Sequence, residues 1–355
     1  MSVKDADGHK LFLYPKEVLR ILEGDMDNSL LQTEVGVTNS CNHRCNYCTL
    51  DWVDRVGDFI GREALLNSLE DMAGMGVKAI YFAGEGEPLL HKSFPDFVKR
   101  SHELGMGVSM STNGALLSED LSKRILPYLN WIRIGLDAAT PETYSLIHGA
   151  RKEDFQKTLN NIIYTAKIKK EGNLNVDIGV QSLLLPENLN EIRDLTRIIK
   201  ETGVDNIQIK PFAQQPFAKQ RQSIVDYTNQ DLKDLKKDVE GFGDKSFTVV
   251  YREKSMERTT LDKEYSSCLG LSFWTLIDAK GNVVPCNLFY DKPKYSFGNI
   301  HQQSFKEIWR GDKRKEVLKK LKGNEGICKD YTCRPDLFNR YMWRLKNPEK
   351  NDCFI

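Results

Sequence analysis

Between about Leu31 and Phe212 the sequence repeats one pattern: an apolar or β-branched run, a polar stop, then an amphipathic helical stretch. The apolar runs read LQTEVGV, KAIYFA, GVSMST, WIRIGLD, NVDIGVQSLL and NIQIKPF, and the helical stretches fall near 62–76, 94–105, 118–127, 153–169 and 187–202. Alternation of this kind builds a parallel sheet from βαβ units. Six repeats predict a doubly wound sheet or an incomplete barrel, and in both the ligands sit beyond the carboxyl ends of the strands. The polar stops TNSCNHRC, AGEGEP, STNG and LDAATPE each follow a strand, so all gather at that rim.

The flanks read differently. Residues 1–30 leave room for one helix in GHKLFLYPKEVLRILEGD. AQQPFAKQRQ at 213–222 breaks the alternation and opens a polar connecting region, 213–264, whose DLKDLKKDVE run reads as a solvated helix face. From 265 to 355 the expectation is a small α+β domain bearing cysteines, with a hairpin in SFWTLIDAKGNVVPC turning at Lys280-Gly281-Asn282. SFKEIWRGDKRKEVLKKL reads as one amphipathic helix with Ser304 as its N-cap.

Charge is balanced, 51 basic against 50 acidic residues, which argues against a nucleic-acid groove as partner. No apolar run approaches the roughly 18 to 20 residues of a membrane helix. MSVKDADGHK lacks the apolar core of a signal peptide, so a cytoplasmic location is expected, with no membrane partner. The eight cysteines fall in two groups, Cys41, Cys45 and Cys48, then Cys268, Cys286, Cys328, Cys333 and Cys353. Clusters of this kind in a reducing compartment read as metal or redox sites rather than a disulfide scaffold.

CNHRCNYC packs three thiols into eight residues. A cubane 4Fe-4S cluster has four irons, each wanting one outside ligand, and thiolates are the usual donors. Spacings of three and two residues let one loop bind three corners, leaving the fourth iron for a bidentate small molecule. The competing reading is a zinc knot completed by His43 or a distant cysteine, though structural zinc sites show paired spacings that this loop lacks.

CNHRCNYC after a first strand, GEGEPLL after the second and STNG ending the third together resemble the radical SAM superfamily. The resemblance covers most of the chain and implies a partial (β/α)6 barrel. It implies a cluster on Cys41, Cys45 and Cys48 that binds S-adenosylmethionine (SAM), whose reductive cleavage yields a 5′-deoxyadenosyl radical that takes hydrogen from a substrate C–H bond. Tyr47 would lie against the adenine or the cluster. Gly84, Gly86, Glu87 and Pro88 would let a strand edge approach the methionine ammonium, with glycine permitting the close approach and Glu87 accepting a charge-assisted hydrogen bond. Ser111 and Asn113 would contact ribose or carboxylate. Two departures stand out: Gly135 replaces the serine that many members carry two residues before Asp137, and Ile147-His148-Gly149 replaces an arginine-bearing stretch. Arg151, three residues on, is the substitute partner for the SAM carboxylate.

Cys268, seventeen residues and then Cys286 at the end of GNVVPC resemble the start of SPASM and Twitch extensions, which hold auxiliary clusters. A full SPASM set has about seven cysteines; five are present and the tight C-x2-C pair is missing, so the resemblance implies one auxiliary 4Fe-4S cluster. Its ligands would be Cys268, Cys286, Cys328 and Cys333, with Cys353 spare or replacing Cys328.

An auxiliary cluster would accept the second electron of a two-electron oxidation. Asp137, His148, Lys210 or Glu85 near the rim would assist loss of a hydroxyl proton. The short N-terminal extension favours a small carbohydrate-like or aminocyclitol substrate over a peptide. Peptide maturation or radical epimerisation is the alternative, and a non-catalytic metal-binding protein the distant one. The chemistry also implies a low-potential electron donor of the flavodoxin or ferredoxin type.

Overall fold

The computed structural model describes residues 9–227, 229–322, 331 and 333–354; Cys328 lies outside the described residues. Six parallel strands form the body of the sheet: β1 (Gln32–Val35), β2 (Ala79–Phe82), β3 (Gly107–Thr112), β4 (Trp131–Gly135), β5 (Asp177–Leu184) and β6 (Asn206–Pro211). All six coincide with the expected runs. The helices between them are α2 (Arg62–Gly74), α3 (Phe94–Glu103), α4 (Glu119–Ile125), α5 (Pro141–His148), α6 (Glu153–Glu171) and α7 (Ile192–Glu201). They follow α1 (Pro15–Glu23) in the N-terminal extension. The eight-residue α5 was not read from the sequence, where α6 already supplies the one helix that the alternation expects between β4 and β5.

The region expected to connect holds α8 (Gln230–Glu240), β7 (Thr248–Tyr251) and α9 (Glu253–Glu257), and β7 pairs parallel with β6. At the other edge β8 (Trp274–Ile277) pairs parallel with β1 and turns back antiparallel into β9 (Asn282–Val284), then β10 (Gly298–Asn299). The hairpin turns where expected, with Gly281 at φ +82°. The cysteine-bearing segment thus continues the barrel sheet, whose order is β10-β9-β8-β1-β2-β3-β4-β5-β6-β7. Ser304 caps α10 (Phe305–Arg310) in a reciprocal pair with Glu307, but Gly311 turns to extended backbone and splits the expected helix into α10 and α11 (Asp312–Lys322). α12 (Asp336–Lys346) packs its Met342 with Val18 and Ile21 of α1, so the N-terminal helix braces the C-terminal segment.

Alternation along the strands sorts the sheet into two chemistries. Toward the helices point Val35, Ile80, Phe82, Val108, Met110, Ile132, Ile134, Val180 and Ile207, all fully buried. At about 1.5–3 kcal/mol per buried side chain, this layer holds the fold together. The other face is polar: Glu34 lies opposite Tyr81, Ser111 opposite Arg133, and Gln181 opposite Gln208. Gly179 keeps that face open, since a Cβ there would sit 2.3 Å from Asn206 Oδ1 and 3.1 Å from an Arg133 nitrogen.

Candidate functional site

The loop after β1 carries Cys41, Cys45 and Cys48, all half-buried. Its backbone is tied to three neighbours. The Arg44 and Asn46 amides donate to the carbonyls of His148 (3.0 Å) and Ile147 (2.9 Å) at the end of α5. Gly149 then reverses the chain at φ +54°, where a Cβ would stand 2.2 Å from the Arg44 carbonyl oxygen. On the other side Glu87 N donates to Ser40 O at 2.8 Å. Gly86 makes that approach possible, because a Cβ there would meet Thr38 O at 2.3 Å and Ser40 O at 2.4 Å.

The third tie is the segment 213–222, which sequence reasoning took for a plain connector. The amides of Lys219 and Gln220 donate to the Asp51 carboxylate at 2.8 and 2.7 Å, and the Gln222 side chain donates to Asn46 O at 2.5 Å. Phe217 stacks edge-on against Trp52 with ring centres 5.8 Å apart. These bonds clamp both flanks of the cysteine loop, which nothing in AQQPFAKQRQ announces.

Burial is the main cause raising the Cys41 and Cys45 thiols, and neighbouring thiols raise both further. Two thiols whose ionisation is disfavoured in a dehydrated loop suit a site where a cation replaces the protons. Arg55 donates to Cys48 Sγ at 3.0 Å and to His43 O at 3.1 Å; this arginine was missed by sequence reasoning and carries no motif signal. The residues therefore fit a cluster held at three corners. His43, Cys45 and His148 also bring ligand atoms within 4.8 Å of one another, but that trio enlists one of the three thiols.

His148 belongs to this loop rather than standing open at the rim. It is buried; Nδ1 lies 3.7 Å from Cys45 Sγ and 3.5 Å from Tyr47 Oη, while Nε2 accepts the Asp137 amide at 3.2 Å. An Nε2 that accepts carries no proton, so the neutral ring has its hydrogen on Nδ1, facing Cys45. Burial lowers His148 to about 3, consistent with that neutral form, so its 3.5 Å approach to Asp137 Oδ2 is not an ion pair. Were Cys45 to hold a cluster, an N–H aimed at its sulfur would be one lever on the cluster's potential. Asp137 is buried, accepts from Leu183 N at 2.6 Å and from Tyr47, and is pushed up to about 6 by burial.

The remaining motif residues divide. Glu87, buried and raised by burial, accepts from Leu89 N (3.1 Å), Thr112 Oγ1 (2.7 Å) and Asn113 N (2.8 Å), so it staples the GEGEP loop to the STNG loop. Three of its four lone-pair sites are thereby used within the protein. Pro88 starts the short turn beside it, and Gly84 takes φ +129° with its would-be Cβ 2.9 Å from Gly36 Cα. Asn113 Nδ2 bonds Asn42 Oδ1 at 2.8 Å and stands 4.0 Å from Cys41 Sγ, whereas Ser111 bonds Tyr81 Oη at 2.6 Å inside the barrel. Glu85 is buried, accepts from Ala279 N at 2.9 Å and is raised well above the carboxylate range by burial, so it joins the β1–β2 edge to the C-terminal hairpin. Arg151 is not brought to the loop: its side chain is 77% exposed and paired with Asp154 at 3.0 Å.

The C-terminal cysteines reach the barrel from the β1 side. Asn339 on α12 donates to Cys268 Sγ at 3.2 Å and accepts Gly270 N at 2.7 Å. Cys286 and Cys333 both act on Tyr331, whose hydroxyl meets Asn287 at 3.1 Å and is raised mainly by burial. Arg334, adjoining Cys333, has a side chain 57% exposed, yet its guanidinium pairs with buried Glu34 and lies 4.9 Å above the Tyr81 ring. Burial raises Glu34 and Arg334 pulls it back. Cys353, by contrast, is exposed, its thiol 3.7 Å from the Lys350 carbonyl. Glu34, Tyr81 and Arg334 escaped sequence reasoning because each looks ordinary until the register aligns them.

Comparison with known proteins agrees with this geometry. Residues 35–199 match the Radical SAM superfamily, and residues 268–334 match the SPASM iron-sulfur cluster-binding domain. The second span contains Cys268, Cys286, Cys328 and Cys333 and stops short of Cys353. The chain is similar to a tungsten-containing aldehyde ferredoxin oxidoreductase cofactor-modifying protein of Pyrococcus furiosus, 25% identical over 78% of this chain and 80% of that one. It is also similar to a probable GTP 3′,8-cyclase of Methanosarcina acetivorans, 26% identical over 59% of this chain and 60% of that one. Among solved structures it resembles Streptococcus suis SuiB bound to precursor peptide SuiA, with a TM-score of 0.67 at 13% identity over 96% of this chain and 78% of that one. Among the described residues no helix is long and apolar enough to cross a membrane.

Proposed function

Because the chain carries a radical SAM domain followed by a C-terminal SPASM iron–sulfur domain, we propose that it oxidises a small, hydroxyl-rich substrate by two electrons inside the barrel. When bound, the loop cluster and SAM supply a 5′-deoxyadenosyl radical that takes a hydrogen atom from a substrate C–H bond, and an auxiliary cluster supplies the acceptor for the second electron. Cys41, Cys45 and Cys48 would hold the first cluster, and Cys268, Cys286, Cys333 and Cys328 the second.

The observation that carries the reading is the polar interior joined to the C-terminal cysteines through Arg334. Tyr81 and Ser111 offer hydroxyls to a polyol, and Arg133 closes the far end by bonding Asp177 at 2.5 Å. Glu34 is the proton acceptor in this reading: burial raises its carboxyl and with it its basicity, and the bond to Arg334 opposes that rise. The hydrogen atom, the hydroxyl proton and the second electron together account for loss of one H2. The P. furiosus relative is named for cofactor modification and the M. acetivorans relative for cyclising a nucleotide, which supports a small substrate. The likeness to SuiB, at 13% identity, bears on fold alone.

The test is anaerobic turnover of the reduced, reconstituted protein with SAM and a panel of sugars, aminocyclitols and nucleotide-linked sugars, read by mass. The expected product is lighter by one H2, formed with one 5′-deoxyadenosine. A product of unchanged mass carrying solvent deuterium means epimerisation and contradicts the oxidation. Turnover confined to peptides contradicts the substrate class.

A further inference from the structure

We propose that Arg55 is a positioning residue that sets the reduction potential of a cluster on the loop thiols: its guanidinium, bonded to Cys48 Sγ, raises that potential and eases one-electron reduction by a low-potential donor. The inference rests on the cluster reading of Cys41, Cys45 and Cys48 and not on the choice of substrate. It starts from the turn that follows the cysteine loop. Asn39, buried just ahead of Cys41, commits its whole amide to that turn. Its Nδ2 donates to Asp54 O at 3.0 Å and Asp58 Oδ2 at 2.8 Å, and its Oδ1 accepts the Gly57 and Asp58 amides at 3.2 and 2.8 Å. Thr38 Oγ1 adds a bond to Asp58 O at 2.7 Å, and Gly57 closes the turn at φ +88°. Arg55 stands inside this frame, so its side chain starts from a fixed backbone.

From there the guanidinium reaches back to the loop, donating to Cys48 Sγ at 3.0 Å and to His43 O at 3.1 Å. Among the described residues it forms no ion pair with a carboxylate, and its acidic neighbour Asp58 is held by Asn39 instead. The other two loop thiols face longer contacts: His148 Nδ1 lies 3.7 Å from Cys45 Sγ, and Asn113 Nδ2 lies 4.0 Å from Cys41 Sγ. Arg55 therefore supplies the shortest of the three, and supplies it from a permanent cation. Net charge and hydrogen bonds to the sulfurs set the potential of a thiolate-bound cluster. Each added electron makes such a cluster one charge more negative. A cation donating an N–H to a ligand sulfur favours the more negative form, so the potential rises.

Redox titration of the anaerobically reconstituted full-length protein with dithionite, followed by electron paramagnetic resonance, tests this without turnover, so it stands or falls apart from the oxidation. The loop cluster is the part of the signal that changes when SAM is added. Arg55→Met is expected to lower its midpoint so that the reduced-to-oxidised ratio at a fixed potential falls by about tenfold, which is about 59 mV for one electron, with iron content unchanged. Arg55→Lys, which keeps the charge, is expected to stay near wild type, and Arg55→Gln, which keeps an N–H alone, to fall between. The signal insensitive to SAM should not move in any variant. An unchanged midpoint in fully loaded Arg55→Met overturns the proposal. So does loss of iron from the methionine and glutamine variants, which would make Arg55 a brace of the loop. An equal shift in Arg44→Met, whose guanidinium bonds the Cys41 and His43 carbonyls rather than a sulfur, overturns it as well. Wild type without a SAM-sensitive signal would instead refute the cluster reading on which the proposal rests.

Discussion

Alanine at Cys268, Cys286 and Cys333 together is expected to leave a protein that still cleaves SAM but no longer delivers oxidised product. Iron content should fall from about eight to about four per chain, because one 4Fe-4S cluster is lost and the other is untouched. The reasoning is spatial. The cysteine loop is tied to α5, to the GEGEP turn and to the 213–222 segment, none of which contains a C-terminal cysteine. The C-terminal thiols lean instead on Asn339 and Tyr331, with Arg334 as the bridge to Glu34. Uncoupled 5′-deoxyadenosine without oxidised product would support an acceptor role for the second site. Full retention of product by the variant would remove the auxiliary cluster from the oxidation.

Gly86→Ala is expected to be strongly damaging for a single added methyl. Its Cβ would lie 2.3 and 2.4 Å from two backbone carbonyl oxygens, Thr38 O and Ser40 O, and backbone cannot rotate away as a side chain can. The Glu87 N to Ser40 O bond must break, and with it the contact between the GEGEP turn and the cysteine loop. Overpacking of this kind costs about 1–3 kcal/mol, and here the strain falls on the loop that carries the three thiols. Thermal unfolding should show that loss, and iron should drop toward about four per chain as the loop cluster fails to assemble. Gly74→Ala at the end of α2, with open space round its would-be Cβ, is the control and should be neutral or slightly stabilising. Equal iron loading in the two variants would refute the packing argument.

What the sequence made legible follows the strength of each local signal. The six core strands and the five expected helices are readable from their repeated alternation, and the cysteine spacings are chemistry in themselves. The hairpin at Gly281 and the cap at Ser304 were readable because turn and cap residues act locally. β7 and α5 were not, because both fall outside the strand–helix alternation that made the equally short β1, β2 and α4 readable. The candidate site divides on the same principle. Local motifs found the thiols, but His148 was assigned to the rim as an acid or base until its ring was seen against Cys45. Glu34, Tyr81 and Arg334 are drawn together from positions as much as three hundred residues apart, the first two by strand register and the third by the turn before α12. Arg151 shows the converse: position near a motif suggested a ligand contact, yet the chain turns it outward to Asp154.

The most direct test of the central claim is iron, sulfide and zinc content of anaerobically purified wild type beside a Cys41/Cys45/Cys48→Ala variant, each then reduced and given SAM. The account predicts about eight irons in wild type and about four in the variant, with 5′-deoxyadenosine formed by the first and not by the second. Zinc in place of iron, or SAM cleavage that survives loss of the three loop thiols, would contradict it.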